Sequence, residues 1–476
     1  MAKYIHLFQT VNEFNSARTN NYVEPWLSYT KETSGLTYNK TEKEKLLETP
    51  LTFIAKENGT FKFSSSITAN TLQYSLDSGA TWAALAHNTD TPTVSSGSSI
   101  MFKGNTISEE YYGIGEFIST GNFDVEGNIM SLIYGDSFIS ETTLSSAFTF
   151  YHLFSYCTGL TSAENLILPA TTLAPCCYQS MFEGCTGLTT APELPATTLA
   201  GGCYSNMFQD CTSLTTAPEL PATTLTEECY NYMFTGCTSL TTTPELPATT
   251  LAERCYYLMF AGCTSLTKAP ELPATTLVSS CYNGMFKGCT SLTTAPELPA
   301  TTLATYCYQE MFRGCTSLTS APELPAMSLT ASCYQYMFAG CTSLTTAPTL
   351  SAATLANYCY SYMFSGCTSL TTTQDRLPAQ ELKTDCYSGM FWGCTSLTTA
   401  PILPAYSPAA RCYSDMFRDC SNLNSIICLL GENGSNITRN WVNGVAATGT
   451  FTKNSMASFW QTGNNGIPAN WTVQDV

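Results

Sequence analysis

The sequence predicts an α/β solenoid preceded by a small antiparallel β-sandwich, and three observations carry that reading. Cysteines recur every 26 residues through most of the chain. Each interval repeats the same apolar residues at the same offsets. Ahead of the repeats, short apolar runs are separated by Asn-Gly and Asp-Ser-Gly turns, the mark of paired strands. The 476 residues then divide into an arm (1–50), a sandwich (51–145), a solenoid of about eleven repeats (146–430) and a C-terminal cap (431–476).

The arm carries the charged run EKEK at Glu42–Lys45 and the aromatic stretch YVEPWLSYT. Pro25 argues against a long helix there. Tyr22, Trp26 and Tyr29 need a partner or the next domain to cover them, so they are the expected attachment residues; a solvated linker is the plainer alternative. In the sandwich, LTFIA and GTFKFS flank Asn58–Gly59 and predict a hairpin. LQYSLDSGATWAAL predicts a second hairpin, and SSIMFKGN and FDVEGNIMSLI supply further strands. The expected core is Phe53, Phe61, Phe63, Tyr74, Trp82, Met101, Phe102 and Phe123.

The repeats follow from two cysteine rows. Cys177, Cys203, Cys229, Cys255, Cys281, Cys307, Cys333 and Cys359 keep the interval, and Cys386 and Cys412 continue it after one inserted residue. The second row trails by eight positions, from Cys185 to Cys420. These ten pairs take 20 of the 23 cysteines. Within one unit, Cys203, Met207 and Phe208 have helical spacing, so a short helical turn is expected up to Cys211. Gly184, Gly236, Gly262 and Gly288, just before the second cysteine, suit a helix exit. Leu214 lies in the Thr-rich run CTSLTTAPEL, which predicts one strand per repeat. Pro218 and Pro221 bracket Leu220 and limit the pairing, and Leu225 returns to the core. Stacked units place Cys203, Met207, Phe208, Cys211, Leu214, Leu220 and Leu225 in axial ladders, with a rise of roughly 5 Å per repeat if the strands pair in parallel. Phe148, Phe150, Tyr151, Leu153 and Phe154 read as a degenerate first repeat. Trp441, Phe451, Phe459, Trp460 and Trp471 suit the terminal cap.

The cysteines have three readings. A disulfide across a straight eight-residue helix would span ~12 Å, against the ~7 Å that a disulfide allows between Cα atoms. Metal binding wants shorter spacings and convergent ligands. Buried thiols packed as small hydrophobes fit best, and spacing alone does not decide whether thiols of adjacent repeats oxidise. The row Glu193, Glu219, Glu245, Glu271, Glu297 and Glu323 must face solvent or share cations. It reads as a solubilising face, with a weak calcium-binding edge as the alternative.

Composition narrows function. A formal charge of -17 excludes the basic footprint of a nucleic-acid binder and a polybasic lipid anchor. No run of 18 apolar residues predicts a membrane span, and no signal-peptide pattern opens the chain. The three histidines lie far apart, so neither catalysis nor a metal site is expected; a glycan-active enzyme is the weakest reading. Positions that vary between repeats should face solvent. Those holding aromatics, namely Tyr232, Tyr257, Tyr306, Tyr336, Tyr358, Tyr362 and Trp392, form the expected ligand surface. Ordinary surface tyrosines covering neighbouring turns are the competing reading. Sugar rings offer apolar faces for stacking, and a protein ligand fits equally well. No cofactor is expected, and self-association stays open.

The units CYQSMFEGCTGLTTAPELPATTLA, CYNGMFKGCTSLTTAPELPATTLA and CYQYMFAGCTSLTTAP resemble the BspA-like leucine-rich repeats of Bacteroides proteins over roughly 146–430. In that family Ala precedes the Phe and the period is shorter; here Met precedes it, as at Met207–Phe208, and curvature is left open. The resemblance implies a cell-surface adhesin or binding protein without catalytic residues. The opening MAKYIHLF, ARTNNYVEPWLSYT and LTYNK looks like N-termini of structural proteins from Bacteroides-infecting tailed phages, including the crAss-like group. That likeness implies a virion-associated fibre or decoration protein, its arm bound to other virion proteins and its repeats to a host surface glycan or protein. A bacterial cell-surface adhesin is the alternative.

Overall fold

A computed structural model describes residues 28–32, 35–39, 41–65, 72–104, 113–431, 433–434, 436–457 and 460–476. Tyr22, Trp26 and Phe459 lie outside them. A hairpin opens the described chain: β1 (Ser28–Glu32) pairs antiparallel with β2 (Gly35–Asn39), setting Tyr29 opposite Tyr38. Helix α1 (Glu42–Leu47) follows. Thr41 caps it, its hydroxyl accepting from the Glu44 N–H while the Glu44 carboxylate accepts from the Thr41 N–H, so two otherwise orphaned donors are satisfied reciprocally.

The expected sandwich is a mixed sheet beside a separate two-stranded ribbon. Strand β3 (Leu51–Ala55) lies between β7 (Ser99–Lys103) and β9 (Phe123–Asn128), antiparallel to both. Beyond β7 come β5 (Gln73–Ser75) and β6 (Ala83–Ala84). Strand β4 (Phe61–Ser64) pairs with β8 (Glu116–Ser119) in the ribbon. The Asn58–Gly59 hairpin is therefore not formed. Neither residue takes the positive φ of a tight hairpin turn; Gly59 instead exchanges backbone hydrogen bonds with Val94 at 3.1 and 2.8 Å. The Asp77–Gly79 turn does join β5 to β6. Its Asp77 carboxylate accepts from the Thr81 hydroxyl and N–H and from Ser75, which lower its pKa to about 2. Phe53, fully buried, touches Phe61, Phe102, Phe117 and Phe123 at ring distances of 4.8–5.1 Å. Tyr74, Trp82 and Met101 are only half-buried; Trp82 lies under the Lys103 ammonium.

A short helix, α2 (Ser131–Tyr134), and a 3-10 segment (Gly135–Ser140) lead to the repeats. Strand β10 (Leu160–Ile167) joins the mixed sheet parallel to β9, so hydrogen bonding and packing run without a break across the boundary expected at 145/146. Phe154 of the first coil meets Phe53 at 5.9 Å.

The helical turn expected in each unit is a different structure. In the unit at Cys203, the N–H groups of Cys203, Ser205, Met207, Gln209 and Cys211 donate to carbonyls three residues back, at 3.0–3.2 Å. The intervening N–H groups of Gly202, Tyr204, Asn206, Phe208 and Asp210 donate to Glu227, Cys229, Asn231, Met233 and Thr235 of the next coil, at 2.7–3.1 Å. Gly202, Asn206 and Asp210 have φ of 62°, 58° and 57°. Inverting the backbone at every fourth residue produces linked turns, a turn ribbon, instead of a helix. A helix would spend these donors within its own segment; the ribbon gives half of them to its neighbour. The expected strand is likewise reduced to isolated parallel bridges, such as Thr216 with Thr242 and Thr224 with Thr250, consistent with the intervening prolines.

Identical residues then stack. Phe182 and Phe208 are 5.3 Å apart and parallel to within 1°. An equally regular file runs from Tyr178 to Tyr413, where adjacent rings are 5.7–6.0 Å apart. Cys203, Met207, Phe208, Cys211 and Leu214 have no solvent exposure, and Leu220 and Leu225 almost none. All 23 cysteines are free thiols. Each second-row thiol donates to a phenylalanine carbonyl of the preceding coil, as Cys211 does to Phe182 and Cys237 to Phe208, both at 3.0 Å. At the far end β11 (Ser425–Cys428), β12 (Thr450–Lys453) and β13 (Thr472–Asp475) pair in parallel. Trp441 is fully buried over Tyr413 and Phe417. Phe451 and Trp471 are buried and Trp460 is half-buried beside it, closing the core.

Candidate recognition surface

The outer side of the turn ribbon carries the seven aromatic positions expected to bind ligand. A side chain at the positive-φ position leans over the next coil, and a glycine often makes room for it. An added Cβ on Gly389 would lie 2.3 Å from the Tyr362 ring, and one on Gly184 2.4 Å from Tyr156.

Ring contacts divide the seven into groups. Tyr336, Tyr362 and Trp392 make a run: Tyr336 stacks on Tyr362 at 4.9 Å and 9°, and Tyr362 meets Trp392 at 5.9 Å. Guanidinium groups close both ends, Arg313 over Tyr336 at 5.1 Å and Arg418 over Trp392 at 4.7 Å. The Trp392 indole N–H donates to Asp419 at 3.0 Å. Stacking, guanidinium and Gly389 contacts occupy much of the ring faces of this run, and all three side chains are half-buried. Burial raises the pKa of both tyrosines. Tyr232 and Tyr257 form a separate edge-to-face pair at 5.3 Å, where burial and then Tyr257 push the Tyr232 hydroxyl up to about 12.

Tyr306 and Tyr358 differ from the rest. They occupy the same position two coils apart and remain 42% and 37% exposed. Buried Ser332 holds the position between them. Beyond Tyr358, Arg411 grips Asp385 through two nitrogens at 2.7–3.1 Å. The hydrogen bonds it donates to Asp385, the charge of that carboxylate and then a hydrogen bond to Tyr358 raise the guanidinium pKa. This stretch combines accessible aromatic surface with a preorganised cation. Of the expected attachment residues, Tyr22 and Trp26 lie outside the described residues, and Tyr29 stands opposite Tyr38 in β1.

A second surface, this one concave, went unrecognised as a groove in the sequence. The PEL segments line two depressions, one of 490 Å³ over coils from Glu164 to Pro221 and one of 930 Å³ over Thr241 to Pro299. Threonine, proline and alanine form the walls, and the six glutamates of the row are all exposed. The signal was present in the strict repetition of Pro-Glu-Leu-Pro, whose prolines hold the chain away from regular pairing and leave a channel. Among the described residues no three acidic, histidine or cysteine side chains converge as a metal site, so the calcium-edge reading gains no ligand set. No helix among them is long and apolar enough to cross a membrane.

No curated protein matches the chain. A solved leucine-rich repeat protein from Bacteroides ovatus ATCC 8483 is similar at 17% identity and a TM-score of 0.37, covering 71% of this chain and 95% of that one. The family described as BspA type leucine-rich repeat region matches in six copies, over residues 151–259, 227–371 and 334–442. These segments span more than half of the sequence, and the repeats form a non-catalytic scaffold. The chain belongs to the BspA-type leucine-rich-repeat family.

Proposed function

We propose that the protein is a recognition protein of a bacterial cell surface that binds a glycan or protein through the turn ribbon, centred on Tyr306 and Tyr358. The observation that carries this reading is their exposure at one repeated position, while Tyr336, Tyr362 and Trp392 spend their ring faces on one another and on arginines. Exposed aromatic area beside a fixed guanidinium is what recognition sites concentrate. The virion reading rested on the first 40 residues, most of which lie outside the described structure; family membership supports the bacterial surface instead. Detection on intact cells free of phage would agree with this, and recovery only in phage particles would not.

Binding of the whole chain to a glycan array and to a panel of intact cells tests the site. The pair Tyr306→Ala and Tyr358→Ala should weaken binding at least about tenfold, the scale of losing a contact worth more than 1 kcal/mol. Trp392→Phe should leave it unchanged. Retained binding in the double variant would move the site elsewhere.

A further inference from the structure

The groove along the PEL segments lies apart from the tyrosine stretch and has its own chemistry. The larger depression is lined by Glu245, Glu271 and Glu297 with one lysine, Lys268; the smaller is lined by Glu164, Glu193 and Glu219 with no cation among its lining residues. The other cations of these coils are committed on the turn-ribbon side: Arg254 to Glu228, and Lys287 and Arg313 to Glu310. One carboxylate of the row already holds an ammonium group. Lys43, 150 residues earlier on α1, pairs with Glu193. Among the described residues, Glu219, Glu245, Glu271, Glu297 and Glu323 have no ion-pair partner.

We propose that this groove docks an extended polypeptide segment bearing lysine or arginine on alternate residues. Three features select that partner. Charge complementarity calls for cations, and the Lys43–Glu193 pair is the same contact made within the chain. The parallel bridges on this side of the coils, such as Lys268 with Thr294, set a spacing of roughly 5 Å, against the roughly 6.5–7 Å between same-face side chains of an extended chain; long, flexible lysine side chains span that difference of about 2 Å per coil. The accessible apolar part of the groove, with Pro247, Pro273, Ala295, Pro296 and Pro299, rewards a backbone with apolar side chains and offers nothing to a bare cation.

The test uses the full chain and a labelled ten-residue peptide alternating lysine with proline and threonine, followed by fluorescence anisotropy. Its glutamate-for-lysine counterpart and spermine are the comparisons. The peptide should bind, weaken as salt rises, and lose at least about tenfold in the variant Glu245→Gln, Glu271→Gln, Glu297→Gln, with the fold checked by circular dichroism. Exposed carboxylates can be changed without unfolding the coils. Tyr306→Ala with Tyr358→Ala should leave this binding intact, which separates it from the tyrosine site. Spermine binding as tightly as the peptide, or peptide binding that ignores the triple substitution, would overturn the proposal.

Discussion

Gly389 shows how single residues keep the coils in register. Its φ of 59° lies in the left-handed region, and the ring of Tyr362 occupies the space where a Cβ would stand. Gly389→Ala should destabilise the protein by about 1–3 kcal/mol, because backbone strain and ring collision act together. Adding Tyr362→Ala should recover part of that loss, with a coupling of about 1 kcal/mol in a denaturant-based double-mutant cycle. Strict additivity would show that the ring is not what the glycine accommodates. The burial of the cysteines was legible in their spacing, since no chemistry without partners explains twenty thiols at fixed intervals. The tyrosine file was not read, although Tyr204 and its equivalents are as regular as Cys203. A polar tip gives no warning that the whole ring is enclosed.

The turn ribbon is the element that the sequence reading missed. Cys203–Tyr204, Met207–Phe208 and Cys211 recur at intervals of four, whereas a helical face drifts with a period of 3.6. Spacing of four over two turns fits either description, and helical periodicity took precedence. The residues between the apolar pairs held the better signal: Gly202, Asn206, Asp210 and Gly236 are types that tolerate positive φ. The Thr-rich run and its prolines, by contrast, gave the location of parallel pairing and its limits. Asn206 tests the ribbon directly. At its φ of 58°, Asn206→Val should destabilise by about 2 kcal/mol, since branching at Cβ clashes in this region, while Asn206→Gly should stay within about 0.5 kcal/mol. Chemical denaturation distinguishes them. Equal effects of the two substitutions would argue for a right-handed segment.

The whole molecule is one continuous core from Leu51 to Trp471, and its interior thiols tie its stability to pH. Burial pushes Cys229, Cys281, Cys315, Cys333 and Cys367 up to about 12. A raised pKa in the folded state means that stability is complete below the unfolded thiol value, near 8.5, and falls as pH climbs toward 12. Each such thiol removes about 1.4 kcal/mol per pH unit in that window. With many thiols acting together, unfolding should be steep just above pH 9, and thiol reactivity toward a colorimetric disulfide reagent should appear in the same step. A fold intact at pH 11 would contradict the enclosed, neutral thiol rows. Stacking in register underlies both proposed surfaces, and spin-label distances measure it most directly. Labels placed through unnatural amino acids at Glu219 and Glu323, four coils apart, should give one narrow distance of about 20–25 Å, and Glu193 with Glu323 one about 5 Å longer. Broad distributions, or distances that do not grow by one coil spacing per repeat, would contradict the stack.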